Sequence, residues 1–116
     1  MKKRPEIGTV LWSVHEHLYY APDRVGPVME YCVCDAAVTG YYEGGFVEIC
    51  VTGKSPDGYR TPYRYKLSDL GKCIFFTPRE AAELAQRETE RYERTWGRIT
   101  GDPPMRRTWE KYLQEE

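Results

Sequence analysis

Two short pairs stand out for their metal-ligand character, His15-x-His17 and Cys32-x-Cys34. On neighbouring strands they would bring two imidazoles and two thiolates together, the donor set of a tetrahedral zinc site. The spacing argues for something plainer. Structural zinc sites usually place their cysteines two to four residues apart on a turn, whereas alternating Cys, Val and Ala residues read as a buried strand face, where free cysteine packs as a small hydrophobe. The packing reading is preferred, His15, His17, Cys32 and Cys34 remain the candidate metal set, and no cofactor is expected.

A cysteine nucleophile needs a nearby base and a microenvironment that lowers its pKa. Cys32, Cys34, Cys50 and Cys73 all fall inside strand-like segments and none opens a helix, so no pair is singled out. Gly40, Gly44, Gly45, Gly53 and Gly58 lack the spacing of a phosphate-binding loop and read as hairpin glycines. The carboxylates are scattered, with no pair that sequence places across a scissile bond. A non-enzyme is the expectation; a small metal-dependent or cysteine enzyme is the second alternative.

The run Tyr59-Arg60-Thr61-Pro62-Tyr63-Arg64-Tyr65-Lys66 interleaves aromatic rings with cations, a pattern that stacks bases or anchors a protein partner. On a strand Tyr63, Tyr65 and Leu67 share one face, so core packing is the leading role for the rings and Arg64 and Lys66 form the exterior. Tyr59, Arg60, Tyr63, Arg64, Tyr65 and Lys66, with Trp109 and Tyr112 near the C-terminus, are the candidate partner-binding residues. Their large, stiff side chains give contact area with few rotors to freeze.

The totals limit the partners. Seventeen Lys and Arg against 18 Asp and Glu leave a net charge of −1, and both parts of the chain, up to Thr77 and after it, are near balance. No overall field draws the chain to nucleic acid or to an anionic membrane. No apolar run approaches the roughly 20 residues of a membrane span, and the basic start lacks the apolar core of a signal peptide. A cytoplasmic location is expected, with the four cysteines reduced.

The elements follow from period and punctuation. Residues 9–18 alternate, with Val10, Trp12, Val14 and Leu18 on one side and Ser13, His15 and His17 on the other, as in a half-buried strand. Residues 19–30, with Pro22, Asp23, Gly26 and Pro27, read as a loop. Residues 31–42 and 46–52 form a hairpin about Glu43-Gly44-Gly45. A turn at residues 53–58 leads to a strand at 61–67, and Ser68 to Gly71 turn the chain into a fifth strand at 72–76. Thr77-Pro78-Arg79-Glu80 combines an N-cap hydroxyl, proline at the first helical position and a glutamate placed for a capping box. The spacing of Ala81, Leu84, Ala85, Glu88 and Tyr92 predicts a helix over residues 78–96, ended by Gly97. The fold class is α+β: a small curled antiparallel sheet, or a five-stranded barrel of the Src-homology-3 type, then the amphipathic helix and a short terminal helix after Asp102-Pro103-Pro104. Residues 1–96 form one β-rich domain and 97–116 a tail.

The stretch from Lys66 to Ala85, with its Gly71-Lys72 turn, apolar strand and Thr77-Pro78-Arg79-Glu80-Ala81 helix start, resembles small accessory proteins of temperate phages and integrative elements of gut bacteria. Tyr31-Cys32-Val33-Cys34 and Thr61-Pro62-Tyr63-Arg64-Tyr65 resemble the same group, so the likeness spans roughly residues 8 to 96. These motifs are architectural and bring no catalytic residue with them. The resemblance implies a mobile-element setting, in which small domains block host proteins, anti-CRISPR inhibitors among them. The expected function is therefore a non-catalytic protein-binding module, a counter-defence inhibitor whose partner is a host or phage protein such as a nuclease. The first alternative is a nucleic-acid-binding accessory protein.

Overall fold

A computed structural model describes residues 4–20, 26–51, 62–97 and 109–114. Strand β1 spans Val10–Tyr19, β2 Val28–Tyr42, β3 Phe46–Val51, β4 Pro62–Lys66 and β5 Ile74–Phe75, followed by helices α1, Pro78–Trp96, and α2, Glu110–Gln114. The strands form one antiparallel sheet in the order β4-β3-β2-β1-β5. The β2–β3 hairpin turns where sequence places it, because Gly44 and Gly45 both hold positive φ, which a Cβ disfavours.

Ten residue pairs join β1 to β2, from Val10 opposite Ala37 to Tyr19 opposite Val28. Residues directly opposite share a face. Ser13 and Cys34, His15 and Cys32, and His17 and Glu30 therefore line one side, with Val14 and Val33, Glu16 and Tyr31, and Leu18 and Met29 on the other.

The first side is an inner core, where Leu11, Cys32, Cys34, Ala36, Val38, Val47, Ile49 and Ile74 pack with Tyr41, Tyr63 and Tyr65. The sheet covers this side by curling. A register shift between Val38 and Gly40 bends the long β2 strand, and Tyr63 on β4 reaches across to lie 4.5 Å from the His15 ring on β1. The curl stops short of a closed barrel, since β4 and β5 remain the two edges.

Helix α1 covers the other side. Thr77 Oγ1 accepts from the Glu80 backbone N–H at 3.3 Å and donates to Glu80 Oε1 at 2.8 Å, so the cap forms through the two side chains. The small residues Ala81, Ala82 and Ala85 let the helix lie close on Tyr31, Val33 and Phe75, and Trp109, just before α2, joins the same cluster.

Two expectations need correction. Strand β2 begins at Val28 instead of Tyr31, shortening the proposed 19–30 loop. And the two sides of β1 are largely reversed: Ser13 and His15, whose polarity suggests solvent, are buried and bonded to each other, while Trp12 and Val14 are half-buried and Val10 and Leu18 exposed.

Candidate functional site

The four residues of the metal set, His15, His17, Cys32 and Cys34, share the inner side of β1 and β2, whereas Cys50 is half-buried and Cys73 exposed. Ser13 Oγ lies 2.7 Å from His15 Nε2 in a hydrogen bond and 3.4 Å from the Cys34 carbonyl oxygen, to which it donates. The Cys32 thiol donates to the His15 carbonyl at 3.6 Å. One step along, His17 Nδ1 donates to Glu30 Oε1 at 2.8 Å. Each imidazole is thus engaged by a non-thiol neighbour, and among the described residues no three His, Cys, Asp or Glu side chains gather in a metal-holding group. Hydrogen bonding with Cys34, and then burial, push the Cys32 thiol well above its ordinary range, away from a reactive thiolate. The Ser13–His15 contact has the form of a nucleophile–base pair, yet Ser13 is fully buried. No substrate carbonyl reaches it in this arrangement.

The candidate partner surface divides. Tyr59 and Arg60 lie outside the described residues. Tyr63 and Tyr65 are half-buried against the inner core, while Arg64 and Lys66 are exposed. The Arg64 guanidinium sits 3.9 Å over the Tyr42 ring, a cation–π contact. Opposite Arg64 in the register, Glu48 accepts from Tyr42 Oη and Thr39 Oγ1, both at 2.9 Å. The Tyr42 and Thr39 hydrogen bonds, then the Arg64 charge, hold the Glu48 carboxyl below the usual carboxylate range. This stretch of β4 is locally neutralised. Near the C-terminus Trp109 is only 3% exposed, and Tyr112 meets the edge of Trp12 with ring centroids 5.4 Å apart.

A cavity of about 390 Å³ opens where β5 stops and β1 continues without it. Val14 and Glu16 enter from β1, Tyr31 from β2, and Leu84 and Glu88 from one turn of α1; Tyr65, Lys72 and Cys73 complete the lining. Burial, then the charges of Glu16 and Glu88, push the Tyr31 phenol up, and burial first of all pushes that of Tyr65 up to about 12. Both stay protonated at neutral pH, and neither hydroxyl has a hydrogen-bond partner among the described residues. The site leaves little sign in the sequence because its walls come from distant segments. Its legible trace is a carboxylate interrupting each apolar row: Glu16 after Trp12 and Val14, and Glu88 after Leu84 and Ala85.

A separate apolar surface lies at the far end of β1. Leu18 is 60% exposed, Tyr20 79% and Trp96 69%. They share one end of the molecule, because Tyr92, one turn before Trp96, packs on Tyr19 and Val28 and accepts from the Met29 backbone N–H, next to Leu18 in register. Among the described residues no helix is long and apolar enough to cross a membrane. Comparison with protein-family models, with curated proteins and with solved structures finds no match.

Proposed function

We propose that this protein is a non-catalytic module that binds a protein partner through the end of the sheet carrying Leu18 and Tyr20, together with Trp96 of α1. The observation that supports it is the exposure of these three large side chains at one end. Grouped aromatic and aliphatic surface is the composition of energetic centres in protein interfaces. The chemically capable groups, Ser13, His15, Cys32 and Cys34, are by contrast committed to the core. In the mobile-element setting that the resemblance implies, the partner is a host protein such as a nuclease, inhibited by occlusion. The module acts in the cytoplasm, consistent with its four free thiols. The nucleic-acid alternative has less support, since Arg64 is already engaged by Tyr42 and Glu48.

The test is affinity capture from nuclease-treated host lysate with the wild-type chain and a Leu18→Ser, Tyr20→Ser, Trp96→Ser variant of unchanged melting temperature. The expected result is one nuclease-resistant partner retained by the wild type and lost by the variant. Equal retention by both, or no partner at all, refutes the reading.

A further inference from the structure

We propose that the cavity beside β5 binds a small amphipathic cation, a primary ammonium or guanidinium carried on an apolar stem. This site is distinct from the exposed surface of Leu18, Tyr20 and Trp96 and does not depend on it. Three observations carry the inference.

The first is the space. About 390 Å³ lies within the range of small-ligand sites and exceeds what a bare ammonium fills, so a stem must accompany the charge. Val14 and Leu84 give that stem an apolar wall.

The second is the charge. Glu16 on β1 and Glu88 on α1 both act on the Tyr31 phenol more strongly than Arg91, the cation that acts on it in the opposite sense. Both residues line the cavity, so two carboxylates reach it from different elements. Neither has an ion-pair partner among the described residues. A cation entering between them gains charge-assisted hydrogen bonds in a partly desolvated place.

The third is Tyr31 itself, 8% exposed, lining the cavity and without a hydrogen-bond partner among the described residues. A ligand N–H can donate to this phenol oxygen, and the negative face of a tyrosine ring also attracts a cation. Lys72, which also lines the cavity, sets the direction. The positive end goes to Glu16 and Glu88, and a carbonyl or carboxylate at the other end goes to Lys72. A lysine or arginine side chain on a peptide has this form, and a free alkylamine has its cationic end and apolar stem.

The test titrates the full chain, followed by backbone amide NMR, with three probes: n-pentylamine, n-pentanol as its neutral counterpart, and an acetylated, amidated pentapeptide with a central lysine between glycines. The expected result is saturable shifts at Val14, Tyr31, Cys73 and Leu84 with the amine, the peptide or both, and none with pentanol. A Glu16→Gln, Glu88→Gln variant should bind at least about tenfold more weakly, and Leu84→Trp, which fills the cavity, should block binding. Tighter binding of the peptide identifies the cavity as a receptor for a basic side chain of a partner protein; tighter binding of the free amine identifies a metabolite site. The proposal is overturned if neither cation gives saturable shifts at millimolar concentration, if pentanol matches pentylamine, or if the double glutamine variant binds unchanged. Leu18→Ser, Tyr20→Ser, Trp96→Ser should leave these titrations untouched, so the two proposals fail separately.

Discussion

The two faces of this sheet are both covered, but by different means. The inner face is closed by the sheet's own curl, so its neighbours are fixed residue by residue through strand register. Two of its polar members find partners there: Ser13 with His15 and Cys34, Cys32 with the His15 carbonyl. The outer face is covered by α1, laid across it on a stripe of alanines. A helix on a sheet matches stripe to surface and leaves remainders. Here they are the cavity around Tyr31 and the buried polar atoms Thr89 Oγ1 and Trp109 Nε1, which have no hydrogen-bond partner among the described residues. Room for a ligand falls on the face covered by a separate element.

The largest expected effect tests that contrast in packing. Leu11→Ala, at a fully buried inner position, should lower unfolding stability by about 2–5 kcal/mol, because the curled sheet cannot collapse into the void. Leu84→Ala, half-buried on the cavity wall, should cost about 1 kcal/mol, since less apolar area leaves water there. Urea unfolding of both variants measures the difference; equal losses would erase the distinction between the faces.

The contrast in polar satisfaction gives the next two effects, with opposite signs. Ser13→Ala strips a partner from His15 Nε2 and from the Cys34 carbonyl and should destabilise by about 1–3 kcal/mol. Thr89→Val keeps the shape and removes a hydroxyl buried without a partner, so it should stabilise by about 1 kcal/mol. Calorimetric melting decides both. A destabilising Thr89→Val would mean that the outer face is as fully bonded as the inner.

What the sequence made legible follows the same division between local and distant causes. Helix α1 has the limits that Thr77-Pro78 and Gly97 dictate, and the β2–β3 hairpin turns at Gly44-Gly45, because caps and turns are written in adjacent residues. Tyr63 and Tyr65 face the core, with Arg64 and Lys66 outside, as period-two spacing requires. The start of β2 was hidden because Glu30 is buried, and its hydrogen-bond partner His17 stands 13 residues away. Ser13 and His15 looked like a solvent face because their mutual bond depends on a curl that no local pattern encodes. The cavity needs β1, β2, α1 and the turn before β5 together, and left in the sequence only two carboxylates out of place in apolar rows.

The smallest effect concerns the seam where the two faces meet. Tyr65 belongs to the inner cluster and also lines the cavity, and burial raises its phenol from an ordinary 10.0 to about 12. In the unfolded chain the phenol releases its proton near pH 10, while in the folded chain it keeps it to higher pH. The unfolded state then binds fewer protons, so stability must fall as pH rises. The contribution is present below pH 10 and is lost between pH 10 and about 12. Tyr65→Phe should therefore flatten the decline of stability across that window and remove one late step from the ultraviolet phenolate titration, with little change at neutral pH. If the titration of Tyr65→Phe keeps every late-ionising phenol, Tyr65 is open to water, and the seam does not shield it.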